Sequence, residues 1–377
     1  MNVTDEIVEL TKKLIEFESI ASKTEQLKNV IDFVENYLSK NTELKIKRFE
    51  SGGKPSLVGI FGSKKKNSGK DHPFSKDDPF KTPLVFFHDH LDVVPGNPEQ
   101  FVPVLKGDKL YGRGASDTKT NGAALMVLAR ELSTINKQLT TSAGFMFTTD
   151  EEIGGHDGAK YLLDRGYRCK FFVTCEPSRL DIVTSHKGVL WVKIKVAGKA
   201  SHASRPWDGV NASLKAYEGL NRLYKLYPLP KKEAWKTTVN VGGISGGDAF
   251  NRVMSDCELK LDIRFIEKDD PEIIIRNIKK CFPESEIEIV EKEAGMNTDP
   301  NDLWVKRLAS SIKRIAGRNP ELKKGHGACD GRFYSAAGIP AVEFGTPAHG
   351  LHTDEEYVYI NSLEKYYKIL WDFVSGL

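Results

Sequence analysis

The chain of 377 residues is longer than one average domain and predicts two or three domains. Its 55 Lys and Arg and 52 Asp and Glu leave a net charge of +3, so composition gives no support for a nucleic-acid partner. No segment reaches the roughly 18 apolar residues of a membrane span, so no membrane partner is expected.

The N-terminal segment MNVTDEIVELTKKLIEF predicts an amphipathic helix with interspersed acidic and basic residues. It lacks the apolar core of a signal peptide, so export is not expected. The five cysteines are scattered and show no Cys-x-x-Cys spacing, which is typical of reduced thiols rather than of a disulfide framework. We therefore expect a cytoplasmic protein.

Helix and strand patterns alternate through the first half of the chain, which is typical of an α/β sheet covered by helices. After the N-terminal helix, the predicted elements are a helix at 24–38, strands at 44–49, 57–61 and 84–90, a helix at 120–135, a strand at 142–150, a helix at 158–165 and a strand at 170–176. The polar stretch at 62–83, with its basic run Lys64–Lys66, predicts a long exposed loop.

The pattern changes near Ser185, where apolar and polar residues begin to alternate as in antiparallel strands with one solvent-exposed face. The elements predicted from here are strands at 188–199, 256–265, 285–290 and 341–344, and helices at 208–227, 270–282, 303–316 and 363–374. We expect residues 1–185 and 295–377 to form a split α/β domain, with a mixed sheet covered by helices. Residues 186–294 are expected to form an inserted α+β domain.

The segment FFHDHLDVVP carries ionisable residues to the end of an apolar strand. Side chains alternate along a strand, so His88, His90 and Asp92 point to one face and Asp89 to the other. Unpaired buried charge is costly and is normally compensated by a metal or another partner. A solvated strand end with one incidental ion pair is the alternative for this segment alone.

Similar polar groups stand at the ends of other predicted elements, where α/β proteins place their functional sites. They are Asp117 before the long helix, Asp150-Glu151-Glu152, Glu176 and His352. Each alone has a structural explanation, since an Asp before a helix is usually a cap and paired Glu residues are usually a solvated turn. Together they offer carboxylates and imidazoles without a thiolate, which suits Zn, Co or Mn.

The motifs HLDVVP, YGRGASDTK, TTDEEIGG, CEPS, SHASRPWDGVNA, DGRF and HTDEEYV occur in this order. They resemble the di-zinc deacylase and exopeptidase family of succinyl-diaminopimelate desuccinylase, acetylornithine deacetylase, aminoacylase and carboxypeptidase G. The likeness covers nearly the whole chain. It implies that the split domain is catalytic and that the inserted domain serves as a lid and in dimerisation.

The resemblance implies a pair of divalent metal ions, Zn first and Co or Mn as alternatives. His90 and Glu176 would hold one ion, Glu152 and His352 the other, and Asp117 would bridge them. A bridging carboxylate keeps two ions about 3.5–4 Å apart, so that one water can contact both.

The resemblance also assigns catalytic roles beside the metal ligands. Glu151 would act as the general base that takes a proton from the attacking water and passes it to the departing amine. Asp92 would accept a hydrogen bond from the ring of His90 and fix its tautomer. The expected chemistry is amide hydrolysis without a covalent intermediate.

Three residues of the inserted domain are implicated by the same resemblance. His202 would reach the active site of a partner subunit and support the oxyanion, which implies a homodimer. Arg264 would bind a substrate carboxylate, because a planar guanidinium suits a bidentate contact, and Asn251 would hydrogen-bond to substrate. A surface histidine and structural Asn and Arg residues are the alternatives.

Some positions depart from the family pattern. The segment DTKTNG stands where the family usually has Met and Gly around the Lys. His88 occupies a position where a small residue is usual, and Glu355 occupies a position where Asn is common. His349 lies near His352, but the spacing of His352 to Glu356 fits the family's ending better. We expect packing for His88 and assign no role to His349.

The expected function is hydrolysis of an N-acyl amino acid, as in the desuccinylase and deacetylase branch. Glu176 supports this branch slightly, because family aminopeptidases more often carry Asp at that position. A carboxypeptidase or dipeptidase is the alternative within the family, and a non-catalytic binding protein is the alternative outside it. A dinucleotide-binding oxidoreductase is not expected, because neither GRGASD nor GGISGG gives the G-x-G-x-x-G pattern.

Overall fold

The computed structural model describes residues 2–61, 82–134 and 143–377. Most of the loop predicted at 62–83 and the last residue of the helix predicted at 120–135 lie outside these ranges. The described chain divides into two compact units. The first unit comprises Met1–Ser185, Met296–Lys323 and Cys329–Leu377, and the second comprises His186–Gly295 and Lys324–Ala328. The return of 324–328 to the second unit is not foreseen from the sequence.

Helices and strands alternate along most of the chain. The strands are β1 Leu44–Ser51, β2 Lys54–Phe61, β3 Val85–His90, β4 Val104–Lys106, β5 Lys109–Tyr111, β6 Ala143–Thr148, β7 Phe171–Thr174, β8 Ile182–His186, β9 Gly188–Ala197, β10 Thr238–Ser245, β11 Asp256–Phe265, β12 Glu286–Glu293, β13 Leu322–Gly325, β14 Ala341–Glu343, β15 Ala348–His349 and β16 Tyr357–Tyr359. The helices are α1 Val3–Ile15, α2 Thr24–Asn41, α3 Lys119–Thr134, α4 Ala159–Asp164, α5 Ala212–Leu226, α6 Pro271–Cys281, α7 Leu303–Ala316, α8 Gly331–Ala336 and α9 Leu363–Ser375.

The main sheet of the first unit has the strand order β1-β2-β6-β3-β7-β14-β8-β13. Strands β6, β3, β7 and β14 are parallel to one another. The pairs β1–β2, β2–β6 and β14–β8 are antiparallel. β3 and β7 are buried along their whole length, as expected for parallel strands covered on both faces. The predicted mixed sheet is therefore confirmed.

Alternation along β3 sends neighbouring aromatic rings into two different cores. Phe87 packs in one core, where its ring contacts Phe373 of α9 at 6.4 Å between centroids. Phe86 packs in the other core with Phe172, whose ring stacks on Tyr334 of α8 at 3.7 Å. The strand is thus held from both faces, and its C-terminal end is fixed in place.

A small sheet with the order β15-β16-β5-β4 lies in the same unit. Its strands have two or three residues each, too few to give a periodic pattern in the sequence. β16 pairs antiparallel with β5, so Tyr357 lies opposite Tyr111. This pairing brings the motif HTDEEYV, which contains His352, beside the segment that leads to Asp117.

The second unit is an antiparallel sheet with the order β10-β11-β9-β12 and the helices α5 and α6. Leu190, Val192 and Ile194 of β9 are buried with Ile278 of α6, whereas Trp191 between them is 43 % exposed. This alternation is the one predicted from the sequence, and the α+β character of the insertion is confirmed.

Capping residues define both ends of α7. α7 begins after Asp302, whose side chain accepts a hydrogen bond from the Trp304 N–H at 2.7 Å, and ends at Gly317 with φ 71°. These bounds match the predicted helix. No helix in the described part of the chain combines the length and apolar character needed to cross a bilayer.

Candidate active site

Three parallel strands deliver polar side chains to one edge of the main sheet. His90 is the last residue of β3, Glu151 and Glu152 begin a 3-10 turn three residues beyond the end of β6, and Glu176 lies two residues beyond β7. Because β6, β3 and β7 are parallel neighbours, their carboxyl ends meet, which is where α/β sheets place ligands.

The five predicted metal ligands lie together, around the carboxylate of Asp117. The His90 Nε2 atom is 3.2 Å from Asp117 Oδ1 and 3.3 Å from Glu176 Oε1. The His352 Nε2 atom is 3.2 Å from Asp117 Oδ2 and 3.4 Å from Glu152 Oε2. The two oxygens of Asp117 therefore face different histidines, as a bridging carboxylate requires.

The tautomer of His90 follows from its neighbour Asp92. The ring Nδ1 lies 3.0 Å from the Asp92 carbonyl oxygen, and a carbonyl can only accept a hydrogen bond. We therefore assign a ring proton to Nδ1, so that Nε2, which faces the carboxylates, is the atom that would bind a metal ion. The Asp92 carboxylate is farther from the ring, with Oδ1 at 3.5 Å from Nδ1.

The carboxylate of Asp92 instead organises the turn that bears the predicted base. It accepts hydrogen bonds from the backbone N–H groups of Glu151 at 3.2 Å and Glu152 at 3.0 Å. One buried side chain thus fixes a predicted metal ligand and the residue beside it. The contact links residues 59 and 60 positions apart, and the sequence does not reveal it.

A second carboxylate, Glu356, positions the segment before α3. Its Oε1 accepts hydrogen bonds from the backbone N–H groups of Ser116 at 2.9 Å and Asp117 at 3.1 Å, and its Oε2 pairs with Arg113 at 2.8 Å. Glu356 is 2 % exposed. In the sequence, Glu356 was used only to compare the spacing of His352 with the family's ending. Its role in orienting Asp117 is found only in the structure.

The two neighbouring histidines, His349 and His352, are in different surroundings. His352 has φ 60°, in the left-handed region that non-glycine residues rarely adopt, and such conformations cluster at functional sites. The ring of His349 stacks on Tyr357 at 4.7 Å and meets Tyr359 edge-on at 4.8 Å. His349 therefore belongs to the packing of the small sheet.

The carboxylates at this edge are buried close to one another and to two histidines, and their pKa values are shifted from the ordinary ones. Burial raises the pKa of Glu176 to about 7 and that of Glu152 to about 6, although His90 lowers both. Burial also raises the pKa of Glu151 well above its ordinary value. For Asp117, burial would raise the pKa, but the hydrogen bonds of His352 and His90 lower it.

These residues fit a pair of divalent metal ions. The Oε1 atom of Glu176 is buried and finds no hydrogen-bond partner among the described residues, and a bound cation would compensate it. At this edge of the sheet, potential ligand atoms within 4.8 Å of one another form two sets, His90-Glu151-Glu176 and Asp117-Glu152-His352. Carboxylates and imidazoles without thiolates suit Zn, Co or Mn.

His88 is buried beneath the metal-ligand edge. Its Nε2 lies 2.9 Å from Thr148 Oγ1 and its Nδ1 lies 3.2 Å from Thr174 Oγ1, so the ring links β6, β3 and β7. Burial, followed by the charge of His90, lowers the pKa of His88 to about 3, and the ring is therefore neutral at pH 7. It packs on Phe172 at 5.4 Å.

Arg332 of the DGRF motif supports the turn that carries Glu151. Its Nη2 donates to the Gly154 carbonyl at 2.6 Å and its Nη1 donates to the Cys329 carbonyl at 3.0 Å. The same guanidinium is 3.6 Å from Asp330, whose carboxylate is fully buried. The motif belonged to the family resemblance, but no role for it follows from the sequence.

Replacing Arg332 by methionine should lower kcat about 10- to 100-fold while leaving metal content unchanged. The Gly154 carbonyl would lose its donor, so the turn bearing Glu151 would be held less firmly. Steady-state kinetics and metal analysis of the purified variant would measure this. The matched control is Arg276→Met, at an exposed position of α6. Full activity of the Arg332 variant would contradict the assigned role.

The other predicted site residues lie on the second unit. The Nδ1 of His202 accepts a hydrogen bond from the Ser204 N–H at 3.2 Å, so its ring proton is assigned to Nε2. Asn251 lies on the segment beside His202, where its carbonyl accepts from the Ala203 N–H at 2.9 Å. Arg264 donates to Asp262 through Nε at 2.9 Å and Nη2 at 3.2 Å.

The sequence is similar to those of two curated proteins. An uncharacterized metallohydrolase from Methanocaldococcus jannaschii is 25% identical over an alignment of 426 positions, gaps included, which covers 100% of both chains. A succinyl-diaminopimelate desuccinylase from Albidiferax ferrireducens is 28% identical over 327 residues, which cover 78% of this chain and 82% of that protein.

Solved structures and a family model agree with this similarity. An aminopeptidase from Bacillus cereus superposes with a TM-score of 0.79 at 20% identity, over 98% of both chains, which confirms the predicted fold class. The family model described as Peptidase family M20/M25/M40 matches residues 86–375. The chain therefore belongs to this family of metal-dependent hydrolases.

Proposed function

We propose that this enzyme hydrolyses the amide bond of an N-acyl amino acid, as a succinyl-diaminopimelate desuccinylase or acetylornithine deacetylase does. The observation that carries the proposal is the carboxylate of Asp117, whose two oxygens face His90 and His352. Such a bridge suits a two-metal site, with Zn preferred and Co or Mn as alternatives. The desuccinylase names among the similar sequences favour the deacylase branch.

Two bound divalent ions would activate the attacking water and polarise the amide carbonyl. Glu151 would take the proton of that water on its carboxylate and deliver it to the departing amine nitrogen. Asp92 would hold Glu151 in place through the backbone N–H bond at 3.2 Å. The Nε2–H group of His202 would donate to the developing oxyanion, and Arg264 would pair with the substrate carboxylate.

We also propose that the second unit acts as a lid and dimerisation domain in a homodimer, with His202 acting in the partner's site. β10 is an edge strand of its sheet in the described chain, and an unpaired edge can accept a second strand. Trp207 and Phe250 of this unit are exposed at 75% and 109%. The cysteines are all free and buried, which supports the expected cytoplasmic location.

Peptidase activity is the second candidate. The Bacillus cereus neighbour is an aminopeptidase, and a carboxypeptidase from Sulfolobus solfataricus has the same fold with a TM-score of 0.75 at 19% identity. The same residues would hydrolyse a peptide bond. A purely binding relative is disfavoured, because the five ligand positions and Glu151 are all occupied by competent side chains.

Chelator-sensitive release of an amine is the expected result of the first assay. The protein, loaded with zinc or cobalt, would be tested on N-succinyl-diaminopimelate, N-acetylornithine, other N-acyl amino acids and dipeptides. EDTA should abolish turnover and added metal should restore it. Hydrolysis of dipeptides alone would favour the peptidase candidate. No turnover of any compound with two ions bound would contradict the proposed function.

A further inference from the structure

Asn121 is a fully buried polar side chain near the start of α3, and it binds the backbone of two other segments of the same unit. Its Nδ2 donates to the Cys175 carbonyl at 2.5 Å, and its Oδ1 accepts from the Thr346 N–H at 3.3 Å. A carbonyl can only accept and a backbone N–H can only donate, so these two partners fix the orientation of the amide.

Both segments that Asn121 binds lead to a proposed metal ligand. Cys175 directly precedes Glu176, and Thr346 lies on the segment between β14 and His352. Asn121 itself lies in the first turns of the helix that follows Asp117. One buried amide therefore joins three segments that each carry a ligand.

The segment at Glu176 is held differently from the segments at Glu152 and Asp117. In those two, a buried carboxylate accepts a hydrogen bond from the backbone N–H of the ligand itself. Pro177 follows Glu176, and proline has no N–H to donate. A donor on the carbonyl that precedes Glu176 has the equivalent effect, and Asn121 supplies that donor.

Close packing fixes the amide of Asn121 in this position. A Cβ at Gly345 would lie 2.7 Å from its Nδ2 and would also collide with the Glu176 carbonyl oxygen, so a glycine allows this approach. The backbone N–H of Asn121 donates to the Thr118 carbonyl at 2.7 Å, and Thr118 Oγ1 donates to the His90 carbonyl at 3.0 Å. The amide is thus tied to the segments of both His90 and Glu176.

We propose that Asn121 is a positioning residue that places Glu176 for metal binding. It acts through the backbone beside the ligand, since its own oxygen is taken by the Thr346 N–H. The inference rests on the proposed function in taking Glu176 and His90 as ligands of one ion. It adds a residue from the segment DTKTNG, where the sequence departs from the family pattern.

Asn121→Leu tests the proposal, because leucine has a similar volume but makes neither hydrogen bond. We expect the dissociation constant of one of the two metal ions to rise about 10- to 100-fold, as is typical when a group that orients a ligand is lost. Competition between the full-length protein and a metal-binding dye would measure both dissociation constants. The absorption spectrum of the cobalt-loaded variant should also change, because it reports the arrangement of the ligands.

Two control variants separate positioning from a general loss of stability. Thr11→Val removes a buried hydrogen bond of α1, from Thr11 Oγ1 to the Ile7 carbonyl at 2.7 Å. It should lower the melting temperature of the metal-free protein and leave both dissociation constants unchanged. Asn36→Leu, at an exposed position of α2, should change neither property.

Wild-type affinity for both ions in a folded Asn121→Leu protein would overturn the proposal. An equal loss of metal affinity in Thr11→Val would also overturn it, because reduced stability would then explain the effect. If Asn121→Leu does not fold, Asn121→Ala removes the same two hydrogen bonds with a smaller side chain, and the same outcomes decide.

A double variant identifies the ion that depends on Asn121. Glu176→Gln should lose the ion that Glu176 shares with His90 and keep the other. Adding Asn121→Leu should then leave the affinity of the remaining ion unchanged, because two changes that act through one ligand are not additive. A further 10-fold loss in the double variant would overturn the assignment of Asn121 to Glu176.

The same measurements separate this inference from the proposed function. Asn121-dependent metal affinity in a protein that hydrolyses no acyl amino acid or peptide would support the positioning role and refute the proposed function. Hydrolysis of acyl amino acids by a protein whose metal affinity is independent of Asn121 would refute the positioning role alone.

Discussion

Replacing Glu151 by glutamine should lower kcat about 10²- to 10⁴-fold, the contribution expected of a general base. The amide keeps the shape of the side chain but cannot accept the proton of the attacking water. Two metal ions should remain bound, because the five ligand positions are unchanged. Steady-state kinetics and elemental analysis of the same preparation would measure both properties.

The metal content of this variant decides between two roles for Glu151. Its carboxylate lies within 4.8 Å of potential ligand atoms of His90 and Glu176, so it is close enough to bind an ion directly. Loss of one ion in Glu151→Gln would make Glu151 a ligand instead of the base. Glu25→Gln, at an exposed position of α2, serves as the control and should change neither property.

Replacing Asp117 by asparagine should reduce both metal content and activity, with kcat/KM falling by about 10³-fold or more. Metal stabilisation of a transition state is worth several kcal/mol, and each 1.36 kcal/mol corresponds to a factor of ten. An amide offers one oxygen and one NH₂ group, so it cannot face His90 and His352 with two acceptors. Metal titration would count the ions retained.

Two bound ions in Asp117→Asn, with near-normal turnover, would contradict the bridging role. Asp5→Asn, an exposed position in the first turn of α1, is the matched control for the change in charge. The backbone N–H groups of Ser116 and Asp117 donate hydrogen bonds to the Glu356 carboxylate. They should persist in the variant, so a loss of metal would report on the side chain itself.

The sequence by itself determined the elements whose signals are local. The helix Leu303–Ala316 and the strand Asp256–Phe265 were predicted to the residue, because a capping Asp, a following Gly and strict alternation act over a few positions. β10 was not predicted. It contains Gly242 and Gly243 at a register shift, and glycines in a strand weaken the pattern.

The sequence also predicted the polar residues that meet at the sheet edge. His90 ends one apolar strand and Glu176 follows another, and the carboxyl ends of parallel strands lie at one edge of a sheet, so the strand pattern predicts both residues at that edge. Their approach to 3.3 Å is found only in the structure. The pairing of ligands around Asp117 came from the resemblance of motifs, because spacing alone does not say which residues meet.

Only the tertiary structure decided which groups orient these residues. The carboxylate of Asp92 binds the backbone of Glu151 and Glu152, Glu356 binds the backbone before α3, and Arg332 binds the Gly154 carbonyl. A periodic pattern in a sequence reports which face of an element is buried, whereas these bonds join segments from 59 to 240 positions apart. Their partners depend on how the chain folds back on itself, and no local preference encodes that choice.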